Sequence, residues 1–381
     1  MKKKLIAIAI ATVVAAPLTA QAIDMSGDAR VRYYSNSNTA GATDQKGAQT
    51  DSRVGLNFSA ADGKTAVAKA RVEIINTHGT TESSAGVDKV YIDNAYISAN
   101  IAGINVMGGK TIGNWGHKFY VWDKQGDRVH ITKKMGDMTA ALIFTKAAEA
   151  GLYTASTTAA GSEDDDADTS VTTLLFKMGK MGGIRYDMKA ADGVADTSDT
   201  VKTNTLALYG GAPLGGGWGL GFEAMSISGS NDNVGGADPA GMGFMLAAMG
   251  KVGGADLSVG YASVKDGAAS DDDFFSFAGT GTQAGSMMTG LTSSEDGHSM
   301  NAMFAVANMS VSSSTSIEAG VGIIKYVDET ASGLAMGGDM DETVISVKAN
   351  HKLSKMTSAI AQFGNFSGDF VKGSHYGASI E

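Results

Sequence analysis

Apolar and polar side chains alternate along most of the chain in segments of about ten residues. Between Ile23 and Tyr34 the odd-numbered positions are apolar or small, whereas the even-numbered positions are polar. The same alternation recurs in 51–61, 217–229 and 342–353. A period of two is typical of β-strands with one apolar face and one wet face. The pattern therefore predicts an all-β protein.

The connections between these segments alternate between short and long. Short turns at 61–63, 135–137, 180–182 and 252–254 interleave with longer polar segments. Transmembrane β-barrels have short turns at one end and variable loops at the other. About eighteen segments can be counted, and sixteen strands fit the pattern nearly as well. The predicted fold is a transmembrane antiparallel β-barrel of 16–18 strands over residues 23–381. A barrel of that size leaves an aqueous channel, since side chains fill only barrels of about eight strands.

A soluble β-sandwich would show a similar alternation, but the charges on the polar faces argue against it. The core of a sandwich could not bury so many unpaired charges, whereas a water-filled lumen can hold them. Closure into a barrel also satisfies every backbone hydrogen bond in the bilayer. The charged positions concerned are Arg30, Arg32, Arg53, Lys69 and Arg71.

The first 22 residues have the pattern of a secretory signal peptide. Three lysines precede an apolar run of twelve residues from Leu5 to Ala16, and Ala20-Gln21-Ala22 forms a cleavage site. The run is shorter than the ~20 residues that a transmembrane helix needs, and no second run of this kind follows. We therefore predict export with cleavage after Ala22, and no helical membrane span.

Composition narrows the function classes. The chain has no cysteine, three prolines and 51 glycines, so no disulfide framework supports it. Without the three signal-peptide lysines, 27 basic side chains stand against 40 acidic ones, a net charge of −13. This balance argues against a nucleic-acid partner.

The sequence predicts neither an enzyme nor a metal or cofactor site. The six histidines are scattered, with no paired metal-ligand spacing and no recognisable nucleophile motif. Acidic runs at 163–168 and 271–273 lack the glycine and glutamate placement of a calcium loop. We interpret these runs as solvated loops in contact with outer-membrane lipid and lipopolysaccharide.

Charged residues on the polar faces are predicted to line the pore. They form a basic arc on one wall, and for Arg30, Arg32 and Arg71 pairing with Asp28 and Glu73 inside the wall remains an alternative. In the alternating pattern Lys110 falls on the same face of its strand as the apolar residues Ile104 and Val106. We predict that a bulge at 108–109 turns its side chain inward. The predicted pore-lining residues are Arg30, Arg32, Arg53, Lys69, Arg71, Glu73, Lys110, Arg128 and His130.

The mature chain resembles the trimeric diffusion porins of Gram-negative bacteria. Residues 27–33, GDARVRY, look like the first strand of a porin. Residues 93–97, DNAYI, and 103–110, GINVMGGK, look like the fourth and fifth strands, with Gly109-Lys110 where the family has a Gly-Arg pair. The resemblance implies an outer-membrane homotrimer whose third loop, about 113–127 here, folds into the lumen and sets the pore size.

This constriction loop is dense in aromatic residues, which either anchor it to the wall or offer solutes a stacking surface. Its acidic residues, opposite the basic arc, would create an electric field across the pore. The arc favours anions at the constriction, whereas the acidic outer loops favour cations at the mouth. The predicted loop residues are Trp115, His117, Lys118, Phe119, Tyr120, Trp122, Asp123 and Asp127.

These features predict passive diffusion of small polar solutes and ions through the barrel. A substrate-selective channel is the nearest alternative, and a non-conducting adhesin or structural barrel is another, with 266–297 as its candidate folded loop. Barrels of this kind usually end in an aromatic residue, whereas the sequence ends at Glu381. We therefore expect either a clipped C-terminus or insertion without that terminal contact.

Overall fold

A computed structural model of the chain describes fourteen segments. They are 23–40, 43–61, 65–79, 87–117, 119–120, 124–148, 169–179, 181–192, 200–231, 238–266, 268, 298–328, 340–368 and 371–381. The predicted signal peptide, both acidic runs and nearly all of 266–297 lie outside the described residues. Within the described part, no helix is long and apolar enough to cross a membrane.

Eighteen β-strands account for most of the described chain. In order they are β1 (Asp24–Ala40), β2 (Thr43–Ala61), β3 (Ala66–Gly79), β4 (Val87–Ile101), β5 (Ile104–Gly113), β6 (Lys124–Met135), β7 (Met138–Ala148), β8 (Thr169–Met178), β9 (Gly182–Asp192), β10 (Thr200–Gly215), β11 (Trp218–Asn231), β12 (Ala240–Val252), β13 (Ala255–Lys265), β14 (His298–Ser310), β15 (Thr315–Asp328), β16 (Met340–Lys352), β17 (Ser358–Gly368) and β18 (Val371–Ile380).

The strands form one closed antiparallel barrel. Each strand pairs with its neighbours in sequence, and β1 pairs with both β2 and β18, with Val31 opposite Ile380. Closure gives every strand a hydrogen-bonded neighbour on both sides, so the ladder satisfies the backbone groups along the paired length of each strand. The predicted all-β barrel is confirmed, at the upper end of the predicted range of strand number.

Short turns join the strands at one end of the barrel. The turn at Gly253-Gly254 has positive φ at both central residues, 57° and 89°. This is the requirement of a type I′ hairpin, which glycine meets without strain. At the other end two connections are also short, since only residues 41–42 separate β1 from β2 and only residues 369–370 separate β17 from β18. The predicted strict alternation of short and long connections is therefore wrong at these two hairpins.

The two faces of the barrel differ as the alternation predicted, with one exception. The outer face carries a band of exposed large apolar side chains, such as Leu174, Phe222, Leu246, Ile323 and Val347. Inward positions on β1–β4 are charged. Inward positions on β11–β17 instead form a buried apolar cluster, which the sequence pattern did not reveal. It includes Met225, Met245, Phe304, Ile324, Val344 and Phe366.

Candidate functional site

The inner face of β1–β4 carries a network of ion pairs. Arg32 lies directly opposite Asp51 and donates from Nε to Asp51 Oδ1 at 2.8 Å. Arg53 Nη1 lies 3.1 Å from Glu73 Oε1. The side chains of Asp51 and Glu73 are almost fully buried, so a guanidinium partner is needed to compensate the cost of burying each charge.

Arg71 is at the centre of this network. Its Nε donates to Glu73 Oε1 at 2.9 Å, and its Nη1 lies 2.7 Å from Asp28 Oδ1. A bulge in β4 places Asp93 at 3.4 Å from the same Nε. Arg71 is therefore paired with Asp28 and Glu73 inside the wall, and its pore-lining role stays a prediction. The paired arginine still lies on the inner face, so both interpretations describe one arrangement.

Arg30 has a weaker ion pair than the other three arginines of the wall. It lies directly opposite Arg53, and the carboxylate of Glu381 is 3.9 Å from its Nη1. The buried Nε atoms of Arg30 and Arg53 have no hydrogen-bond partner among the described residues. Two like charges facing each other repel, and for Arg53 the carboxylates of Glu73 and Asp28 offset this repulsion. Lys69 also lies on the inner side, opposite Tyr96, and is exposed.

The connection between β5 and β6 folds into the lumen. Its backbone binds Glu223 of β11, whose side chain is fully buried. The N–H groups of His117 and Phe119 donate to Oε2 at 2.6 and 3.4 Å, and that of Tyr120 donates to Oε1 at 2.8 Å. One buried carboxylate thus satisfies three loop donors and fixes the loop across the lumen.

Gly116 makes this anchor possible. Its φ is +55°, and a Cβ at this position would lie 2.4 Å from Glu223 Oε2. A left-handed conformation and the close approach of a carboxylate both require glycine here.

The aromatic residues of the loop pack against the wall. Trp115 is buried with its edge on the ring of Tyr209, at 4.8 Å between centroids, and Phe119 joins the inner apolar cluster. Tyr120 donates its hydroxyl to Asp187 at 2.8 Å. Burial, with the nearby Asp187 carboxylate, raises the pKa of Tyr120. These contacts join the three aromatic residues to the wall, and a stacking surface for solutes stays a prediction.

A second group of inward cations surrounds the base of the loop, on β6, β8 and β9. Lys177 lies 5.4 Å from the centre of the Trp115 ring, and Arg185 lies 5.5 Å from that of Tyr120. Arg128 lies against Gly113, where an added Cβ would be 2.2 Å from its Nη1.

His130 also lies inward, with its Nε2 3.5 Å from the hydroxyl of Thr111. The inward placement predicted for Arg128 and His130 thus agrees with the structure.

Two predicted site residues lie elsewhere. The register runs unbroken through Gly108 and Gly109 on both sides of β5, so the predicted bulge is absent there. Lys110 consequently stays on the outward side with Ile112 and donates to the Ile92 carbonyl at 2.7 Å. Asp127 lies opposite Lys110 inside β6, exposed on the same outward side.

The predicted constriction loop is also too long. β6 begins at Lys124, so the loop spans 114–123 rather than 113–127. Lys118, Trp122 and Asp123 lie outside the described residues. Asp127 does not supply the acidic side of a transverse field, because its strand turns it away from the lumen.

Sequence reasoning missed Glu223, Arg185 and Asp187. Each is an inward residue that binds the loop or one of its partners across the barrel. Glu223 had one recognisable feature, because it is the single charged residue of its strand. Its loop partners are about a hundred residues away in sequence, so spacing could not reveal the contact.

Comparisons with solved structures show the same barrel fold. The chain superposes on OpdQ of Pseudomonas aeruginosa with a TM-score of 0.63 and 10% identity, over 94% of this chain and 98% of that one. OccK5 (OpdH) of the same organism gives 0.60 and 10%, over 93% and 97%. OprD gives 0.57 and 9%, over 95% and 96%. No protein-family model matches the chain, and no curated protein matches it in sequence.

Proposed function

We propose that the chain forms a substrate-selective channel in the outer membrane of a Gram-negative bacterium. The observation that carries the proposal is the loop bound to Glu223 across the lumen. Eighteen strands alone would leave a wide aqueous channel, and an anchored inward loop narrows it. The narrowed lumen is lined by fixed charges on β1–β4 and around the loop base.

The comparisons favour this channel over general diffusion. OpdQ, OccK5 (OpdH) and OprD, which share the fold, are substrate-specific outer-membrane channels, whereas the sequence resemblance pointed to general diffusion porins. The predicted trimer finds no support in these neighbours and stays a prediction. Export by the signal peptide stays a prediction as well.

We infer that the preferred solutes carry negative charge. Arg30 faces Arg53 and has a carboxylate, that of Glu381, only at 3.9 Å, whereas Arg53 is paired with Glu73 and Asp28. Arg128, Lys177 and Arg185 lie near the loop, where Asp187 binds Arg185. Fixed cations at a constriction lower the barrier for anions and raise it for cations.

Swelling of proteoliposomes tests the channel directly. We expect uptake of small solutes, with small organic anions faster than neutral sugars of the same size. A structural or adhesin barrel would give no swelling. Swelling rates that depend on solute size alone would indicate general diffusion and contradict selectivity.

A further inference from the structure

Glu342 of β16 is a buried carboxylate on the inner face of the barrel. The strand register places it opposite Ile324 of β15 and Gly368 of β17. The residue is only 3% exposed, and neither of its carboxylate oxygens has a hydrogen-bond partner among the described residues. It therefore stands as a single acid within the inner apolar cluster, and neither the ion pairs of β1–β4 nor the loop anchor uses it.

The other buried carboxylates of the described residues all have compensating partners. Asp51, Glu73, Asp93 and Asp187 each lie against an arginine, and Glu223 accepts three backbone N–H groups. An ionised carboxylate that is buried without such partners costs far more free energy than the neutral acid does. The packed inner wall therefore accommodates Glu342 in its protonated form.

The strands that flank Glu342 supply no charge to compensate it. On the inner face the next residues of these strands are Tyr326 of β15 and Phe366 of β17. Tyr326 is the single titratable residue among the described buried members of the inner apolar cluster, and a tyrosine keeps its proton up to about pH 10. Lys325 and Asp341 lie opposite each other in the register, on the outward face. A change of charge at this site below pH 10 therefore comes from Glu342 itself.

Loss of the proton from Glu342 would put an uncompensated negative charge into the inner apolar cluster. Water or a cation from the lumen must then reach the carboxylate, because a buried charge requires a polar partner. The ionised side chain also adds a fixed negative charge to the inner wall. Fixed charges in a pore wall favour ions of the opposite sign, so ionisation of Glu342 favours the passage of cations.

We propose that Glu342 is a proton-controlled selectivity residue of the inner wall, neutral within the apolar cluster when protonated and attractive to cations when ionised. The selectivity role rests on the proposed channel function, whereas the proton site does not. A solvent-exposed glutamate releases its proton at about pH 4.3, so above that pH unfolding releases the proton that the packed wall holds. The folded state therefore loses stability as the pH rises, until Glu342 ionises in the folded protein as well.

Denaturant unfolding of the vesicle-inserted protein tests the proton site without any measurement of current. Glu342→Gln keeps the shape of the protonated acid and cannot ionise. The ratio of folded to unfolded wild-type protein, divided by the same ratio for Glu342→Gln, should fall by up to about tenfold per pH unit above about pH 5, because one proton is linked to unfolding. The same quotient formed with Asp341→Asn, an exposed carboxylate on the same strand, should stay nearly constant. A constant quotient for Glu342→Gln between about pH 5 and pH 8 would overturn the proposal.

Reversal potentials in a potassium chloride gradient test the selectivity role. Between about pH 5 and pH 8 we expect the wild type to shift toward cations by more than Glu342→Gln does, whereas Asp341→Asn keeps the full wild-type shift. Histidines in the lumen titrate alike in all three proteins, so their contribution cancels in the comparison. Equal shifts in the wild type and Glu342→Gln would overturn the selectivity role. Absence of any wild-type current would overturn the proposed channel and with it the selectivity role, and the unfolding measurement would still decide the proton site.

Discussion

At the scale of single residues, Glu223 holds the inward loop in place through hydrogen bonds to its backbone. Hydrogen bonds to a charged group are each worth about 1.5–3 kcal/mol, and three loop N–H groups share this carboxylate. Replacement by glutamine keeps the shape but removes the charge and turns one acceptor into a donor that faces N–H groups.

We predict that Glu223→Gln releases the loop and raises single-channel conductance, with larger current noise. Asp256→Asn is the matched control, because that exposed carboxylate pairs with Lys251 at the turn and binds none of the described loop residues. Single-channel current recordings of both variants in the same lipid measure this difference in conductance. Equal conductance of Glu223→Gln and wild type would show that the carboxylate does not hold the loop.

Lys110 tests the assignment of the two faces. The unbroken register of β5 places it outward, although its charge suggested a lumenal position. We predict that Lys110→Leu leaves the reversal potential in a salt gradient unchanged, whereas Arg53→Leu shifts it toward cations. A shift of similar size in both variants would place Lys110 in the pore and contradict the observed register.

At the scale of elements, the strands were predictable from sequence and the loop anchor was not. A strand can be predicted locally, because apolar and polar residues alternate along it with a period of two. Closure of the barrel then follows, because lipid cannot form hydrogen bonds with the backbone groups of an open sheet edge. The inward apolar cluster could not be predicted because both faces of β12–β15 are largely apolar. In these strands the alternation of apolar and polar residues therefore does not indicate which face lines the lumen. The contact between Gly116 and Glu223 depends on the pairing of distant strands.

Gly116→Ala tests the backbone of the loop. The added Cβ would clash with Glu223 Oε2, and φ of +55° is strained for alanine. A strained residue of this kind costs about 1–3 kcal/mol. We predict a displaced loop, seen as cleavage near residue 116 by added protease and as higher conductance.

Gly108→Ala is the control for this substitution, because nothing lies within 4 Å of a Cβ there. It should behave as the wild type in both assays. Protease resistance and normal conductance in Gly116→Ala would show that the loop accommodates a side chain at this turn.

At the scale of the whole molecule, the barrel separates lipid from an inner wall that is charged on β1–β4 and apolar on β11–β17. An arginine on the lipid face costs roughly 2–4 kcal/mol at the bilayer midplane. We predict that Ile323→Arg, at an exposed outward position, lowers the free energy of unfolding of the vesicle-inserted protein by about this amount. Denaturant titration of the inserted protein measures it.

Lys325 lies nearby on β15 and serves as the control, because Lys325→Arg changes no charge. A loss below about 0.5 kcal/mol for Ile323→Arg would mean that this face does not contact lipid, since lipid-facing arginines cost several times more.

The central claim is that the barrel conducts and that the arginines of its inner wall select the ions. The reversal potential of the reconstituted protein in a potassium chloride gradient tests it most directly. We predict anion preference in the wild type and a shift toward cations when Arg30, Arg53 and Arg71 are replaced by serine, because Asp28 and Glu73 then lose their partners. An open channel whose reversal potential is the same before and after these substitutions would contradict the account.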